Sequence, residues 1–277
     1  VKDSYISGSG RYVGGVCGYN MNGTIENSYN TGTVTVTGSN ADIGGVCGFN
    51  SSGGTIEKSY NKGTVTVTEA GDHAYIGGVC GNNDGTIRNS YNTGKVTVTV
   101  TIDFTFVGGV CGNNDGTIEN SYNTGTVTGE HIFVGGVCGW NSGTIRNSYN
   151  TGKVTVENVN VYTSVGGVCG NNNGTIENSY NTGKVTGYRV SVGGVCGWNW
   201  SSITNCYFLT GTANSGIGGD SGTANKVEKK DEGAFSSGEV ECLLNGSQYP
   251  QPWGQVLNNM PILTSNPPKG VGYKIMV

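Results

Sequence analysis

Charge is scarce in this chain: Asp, Glu, Lys and Arg make up 12% of its 277 residues, about half of the usual quarter. The 15 basic residues are scattered among 19 acidic ones, for a net charge of -4. That leaves no basic surface for a phosphate backbone, so nucleic acid is not an expected partner. Apolar runs are short, and none approaches the roughly 18 residues that span a bilayer, so no membrane insertion is expected of this chain. Its first ten residues, VKDSYISGSG, lack the basic and apolar regions of a signal peptide. Five prolines are too few for collagen. The two histidines, His73 and His131, begin HAYIG and HIFVG, so the HExxH of a zinc peptidase is missing. No Cys-x-x-Cys occurs either, and no cofactor is expected.

What the chain has is glycine, 51 residues of 277, where about 7% is usual. Glycine costs a helix interior about 1 kcal/mol per residue, and the accompanying Val, Ile, Thr and Tyr prefer strands. A glycine-punctuated all-β protein follows. The segment GGVCG recurs after Val or Ile and places Cys17, Cys47, Cys80, Cys111, Cys138, Cys169 and Cys196 at spacings of 30, 33, 31, 27, 31 and 27 residues. A second landmark, Ser or Cys followed by Tyr, recurs from Tyr5 and Tyr29 through Tyr60, Tyr91, Tyr122, Tyr149 and Tyr180 to Tyr207. Eight Tyr landmarks against seven Cys landmarks give the expectation that this is a fragment of a larger protein, cut partway through a repeat.

A unit of about 30 residues with strand-like runs and no helical period cannot bury a core alone, but stacked copies can. The expected fold is all-β: a parallel β-helix, or β-solenoid, of about seven coils of 27–33 residues. Each coil is expected to hold three short strands, exemplified by VGGVCG, TIENSY and TVTVT. Alternation in the third strand points Val34 and Val36 inward and the Thr residues outward. The residue after Ile in the second strand runs Glu26, Glu57, Arg88, Glu119, Arg146, Glu177. This mostly alternating column suits in-register stacking, and only Glu26 beside Glu57 breaks it. Asn20, Asn50, Asn83, Asn114, Asn141, Asn172 and Asn199 recur two residues after the last Gly of the motif. Side-chain amides that donate to one neighbour and accept from the other would tie the coils together there.

The Cys column leaves three readings open: small apolar core residues, disulfides between coils about 4.8 Å apart, or a soft-metal ladder. Strict alternation would put Val16 and Cys17 on opposite faces unless the Gly pair bends the strand. The Tyr column is either packed or an outward aromatic stripe. The replacement of Ser by Cys206 beside Tyr207 hints that the Ser side is inward.

Coil-length variation falls mainly between the third strand and the next GGVCG, an edge that often binds ligands in solenoids. The candidate ligand-binding residues there are Tyr75, Phe104, Phe106, Phe133, Tyr162, Tyr188 and Arg189, with His131 in the same insertions. A second variable column after the motif supplies Trp140 and Trp198, with Tyr19 and Phe49, and Trp200 follows in the last coil. No catalytic residues are assigned. Asp84 and Asp115, in NNDG turns of adjacent coils, are the best candidates for the alternative of a carbohydrate-active β-helix enzyme, a polysaccharide lyase or hydrolase. A further alternative is ice binding by the Thr columns.

GGVCGYN, GTIENSYNTGTV and their copies resemble the GLUG-motif repeats of bacterial cell-surface proteins, including non-catalytic regions of immunoglobulin A metallopeptidases and gut Firmicutes surface proteins. The resemblance covers residues 1–211, although Cys stands where an aliphatic residue is more usual. It implies an extracellular, cell-surface, non-enzymatic module, adhesin or spacer, whose partner would be a host or bacterial-surface glycan or protein. Residues 212–233 are expected as a loose connector and 234–277 as a C-terminal cap, with a short helix in FSSGEVECLLN and Trp253, Ile262 and Leu263 over the last coil.

Overall fold

The computed structural model describes residues 5–8, 10–37, 41–69, 73–99, 104–130, 133–156, 163–188, 190–255 and 259–265. It is a parallel β-solenoid whose coils stack with equivalent positions paired, apart from a register shift between Val67 and Glu69. Cys80 pairs with Cys47 and Cys111, Tyr60 with Tyr29 and Tyr91, and Val65 with Val34 and Val96. The columns inferred from the spacing are therefore physical columns.

In the last coil Ser202–Leu209 runs as one strand, but each of the six coils between Tyr12 and Thr186 holds five strand segments where three runs were expected. In one coil these are Ala41–Gly44, Cys47–Asn50, Thr55–Glu57, Tyr60–Asn61 and Val65–Glu69. They stack into sheets of seven (Val), seven (Gly-Gly), eight (Cys) and fourteen strands, the last joining the Ile and Tyr columns. The two extra breaks have different causes. In TIENSY the residue after Glu adopts a left-handed conformation in every coil, with φ of 51° at Asn27, 48° at Lys58 and 51° at Asn89. Asn tolerates that region better than other side chains do. In VGGVCG the Gly pair makes a bulge: the amides of Val46 and Cys47 both donate to the Val79 carbonyl, at 3.0 and 2.9 Å. Two consecutive side chains can then face the same way, and Val46 and Cys47 are both fully buried. A β-carbon on Gly45 would lie 2.2 Å from the Gly78 carbonyl oxygen, so no other residue fits the corner.

The interior has two apolar compartments. One packs the Val46, Cys47 and Ile56 columns together; the other packs the Val65 and Val67 columns against Ile43 and Ile76. At the Gly-Gly corner between them stands a second amide column, which sequence reasoning missed. Asn30 donates through Nδ2 to Asn61, and the chain continues through Asn92, Asn123 and Asn150 to Asn181, with separations of 2.8–2.9 Å. Each amide also bonds the glycine two residues on, as Asn61 does at Gly63 through both nitrogen and oxygen. Its signal was present, since Asn follows every Tyr landmark from Tyr29 to Tyr180 before Phe208 replaces it.

The first amide column runs from Asn20 through Asn50, Asn83, Asn114, Asn141 and Asn172 to Asn199, each Nδ2 donating to the next Oδ1 at 2.7–2.8 Å. The charge column forms ion pairs: Arg88 donates to Glu57 at 2.6 Å and Arg146 Nε to Glu119 at 2.8 Å. The Glu26–Glu57 exception is bridged by Lys58, 3.5 and 3.4 Å from the two carboxylates. Lys58 occupies a left-handed position that is Asn in the other coils.

The C-terminal part differs from the expectation in two ways. Residues 212–233 are not a loose connector throughout: Ile217–Asp220 adds a strand beside Cys196–Asn199, and Thr223–Lys230 pairs along Ser202–Leu209. Their side chains are mostly exposed, so no apolar pattern marked them; backbone pairing extends the sheets, with Ile217 and Val227 packed against the core. Lys226, Lys229 and Lys230 there blunt a terminal strand. The following segment makes two short helices, α1 (Glu232–Ser237) and α2 (Glu239–Asn245), broken at Gly238 with φ of 94°, and an antiparallel pair, Trp253–Gln255 with Pro261–Leu263. This unit covers the flank of the solenoid instead of its end. Phe235, Val240, Leu244, Trp253 and Leu263 pack on Tyr122, Tyr149, Tyr180 and Tyr207, and the Tyr180 hydroxyl donates to the Pro261 carbonyl at 2.6 Å. The Tyr column faces out of the coils and is buried where this flank is covered, whereas Tyr29 is 39% exposed.

Candidate ligand-binding face

Two outward columns stand side by side on the Gly-Gly and Cys sheets. The first is Tyr12, Asp42, Tyr75, Phe106, Phe133, Ser164 and Ser191. The second is Tyr19, Phe49, Asn82, Asn113, Trp140, Asn171 and Trp198. Both face outward because residues flanking them, such as Ile43 beside Asp42 and Asn50 beside Phe49, are fully buried.

The register sorts the aromatics into clusters. Tyr12, Tyr19 and Phe49 stack at 5.2–5.5 Å. Tyr75 stacks on Phe106 at 5.1 Å, and Phe106 meets Phe133 and Trp140 at 5.4 Å. Trp198 and Trp200 form a third cluster at 5.5 Å. Between the second and third lies a cleft of about 770 Å³ walled by Phe133, Trp140, Trp198 and Trp200, with Ser164 and Asn171 in its lining. Trp140 Nε1 donates to Ser142 at 2.7 Å. Trp198 Nε1 and the Asn171 amide oxygen are buried with no hydrogen-bond partner.

Of the sequence-predicted site residues, Tyr75, Phe106, Phe133, Trp140, Trp198 and Trp200 therefore lie on this face. Phe104 is 52% exposed and packs on His73 with ring centroids 4.9 Å apart. Tyr188 is 69% exposed. Tyr162, Arg189 and His131 lie outside the described residues. Sequence reasoning missed Asn171 and Ser164, whose part in the cleft is to be small where their column neighbours are large.

A family model described as the GLUG motif matches residues 9–35, 72–99, 107–128, 134–155 and 161–186. The chain carries GLUG-motif repeats. Residues 41–69 lie between matched segments and keep the register of the GLUG coils on either side as far as Val67. Comparison with curated proteins and with solved structures found no match.

In the GLUG coils the Cys column is a core column. All nine cysteines are free thiols, and Cys47 to Cys196 are fully buried. Each of these thiols donates to the carbonyl two residues on, as Cys111 does to Asn113 at 2.9 Å. Burial pushes the Cys206 thiol up to about 12 and those of Cys111 and Cys196 well above the ordinary range, which suits the protonated, unreactive form. No group of three or more potential metal ligands occurs among the described residues.

Asp84 and Asp115 sit on adjacent turns. Asp115 is exposed and accepts from Asn113 at 3.0 Å, an arrangement of turn chemistry. Burial, then the neighbouring Asp115 charge, raises Asp84. A separate cleft of about 500 Å³ is lined by Arg11, Asp42, His73 and Tyr75. Burial pushes Asp42 up to about 7 there.

Proposed function

We propose that the chain is a non-enzymatic, extracellular module of a bacterial surface protein, a rigid solenoid that presents an adhesive face to a glycan. The observation that carries this reading is the outward aromatic face with its cleft. Register-locked strands hold Phe106, Phe133, Trp140 and Trp198 on one surface, while the C-terminal unit occupies the Tyr flank. Aromatic rings on a rigid scaffold supply contact area at low entropic cost. The GLUG repeats, resembling those of surface proteins, support the location, and the amide and Val columns support a spacer role alongside binding. No helix among the described residues is long and apolar enough to cross a membrane.

A glycan array run beside a polysaccharide-depolymerisation assay tests the reading. Binding without turnover is expected. Turnover would replace it with the carbohydrate-active enzyme, for which Asp42 and Asp84 would be the carboxyls to mutate first. Thermal hysteresis would point to the outward Thr column, where Thr186 donates to Thr155 at 3.2 Å.

A further inference from the structure

We propose that the slot between Trp140 and Trp198 holds a single uncharged pyranose ring of a glycan. The proposal deepens the reading above and rests on it. Strand pairing places Trp140, Asn171 and Trp198 on three successive rungs of one column. With rungs about 4.8 Å apart, the two tryptophans are separated by about 9.6 Å along the axis. Elsewhere on this face successive rings stack at 5.1–5.4 Å. The middle rung holds the Asn171 amide, which is smaller than an aromatic ring, so the slot lacks the outer part of one ring. In the neighbouring column Phe133 is followed by Ser164 and Ser191, so the gap runs across both sheets as the cleft of about 770 Å³.

The polar groups identify what fits. Asn171 is only 4% exposed, and its amide oxygen has no partner. Trp198 Nε1 is a buried donor, also without one. Burying such groups unpaired costs about 1–3 kcal/mol each, which a suitable ligand would recover. The occupant must donate to the amide oxygen, accept from the indole and offer an apolar face to two rings. A pyranose does all three: its hydroxyls donate and accept, and its C–H faces stack on aromatic rings. An aromatic peptide side chain would fill the same thickness but satisfy neither group with its ring face. None of the described lining residues is charged, so the sugar is a neutral one.

The test is calorimetric titration of the full chain with chitotriose, cellotriose, mannotriose and N-acetyllactosamine as neutral probes and sialyllactose and trigalacturonate as charged ones. At least one neutral probe is expected to bind more tightly than either charged probe, and Trp198→Ala to weaken it about tenfold or more. Ser164→Phe extends the Phe106–Phe133 stack into the slot; it should abolish binding while leaving the melting temperature unchanged or raised. That second variant keeps the test decisive if Trp198→Ala fails to fold. Silence of every neutral probe overturns the slot, and a simultaneously silent glycan array overturns the adhesive face with it. Neutral binding that survives both variants overturns the slot alone, because the sugar then sits elsewhere on the face. Preference for a charged probe overturns the assignment of a neutral ring.

Discussion

Asn199 donates through Nδ2 to the carboxylate of Asp220 at 2.9 Å, and this contact ends the amide column that begins at Asn20. An amide within the column must both give and receive, whereas its last member receives only. Asp220 does so from Asn199 and from the Gly222 amide at 3.0 Å. A carboxylate, which has no donor, is thus admissible at this rung and at no earlier one.

The first prediction compares the two positions. Asn114 accepts from Asn83 and donates to Asn141 and to the Gly116 and Thr144 carbonyls. Asn114→Asp keeps the acceptor, loses every donor and buries a charge, so it should cost about 3 kcal/mol or more. Asp220→Asn keeps both accepted bonds and should stay within about 0.5 kcal/mol of the parent. Urea denaturation checks both values; equal costs would mean that the column contributes bulk and not directional bonding.

The thiols offer a second prediction. Cys242 is exposed, Cys17 half-buried and the other seven buried. Labelling of the native protein without reductant should modify Cys242 first and Cys17 more slowly, while the rest react only as the solenoid unfolds. Denatured, unreduced protein should titrate as nine free thiols. A lower total would show that neighbouring rungs pair oxidatively.

The third concerns the flank. Trp253 is fully buried, with ring centroids 5.4 Å from Tyr180 and 6.0 Å from Tyr149. Trp253→Ala should cost about 3–5 kcal/mol within a single unfolding transition, because the same contacts bury the outward Tyr column. Tyr180→Phe, which loses only the bond to Pro261, should cost about 1 kcal/mol. If Trp253→Ala instead produced two separate calorimetric transitions, the C-terminal unit would be independent of the solenoid.

How much of this was legible in the sequence differs from column to column. The regular return of Cys17 and its counterparts implied stacking, and the Glu57–Arg88 alternation implied register, because both depend on spacing alone. The five-segment coil was harder to see: a left-handed Asn27 and the bulge at Val46 change where side chains point without interrupting a strand-like composition. The second amide column was written after every Tyr from Tyr29 to Tyr180, yet its meaning depended on knowing that Tyr faces outward. Long-range packing leaves no trace in spacing: the sequence suggests Trp253 over the last coil, whereas it packs on Tyr149 and Tyr180 of the outward Tyr flank. Trp140 and Trp198 were singled out as variable aromatics. The slot between them is made by Asn171 and Ser164, and a missing ring becomes a signal only when register reveals its neighbours.

The last prediction follows from Asp42, which stands between Tyr12 and Tyr75 in the outward column. Burial raises its carboxyl from an ordinary 3.8 to about 7, and the neighbouring Asp84 charge adds to the rise; a hydrogen bond with Asn82 and the Arg11 charge oppose it. Between pH 3.8 and about 7 the folded chain keeps a proton that the unfolded chain has released. The folded state binds more protons in that window, so the Asp42 contribution to stability falls as pH rises through it and levels off above about 7. Asp42→Asn removes this dependence while keeping the shape. Its melting temperature relative to the parent should therefore climb from pH 4 to pH 7 and then stay constant, and the difference between the two proteins isolates Asp42 from every other titrating group. A difference independent of pH would show that the carboxylate is already ionised in the folded chain, held by Arg11 against the cost of burial.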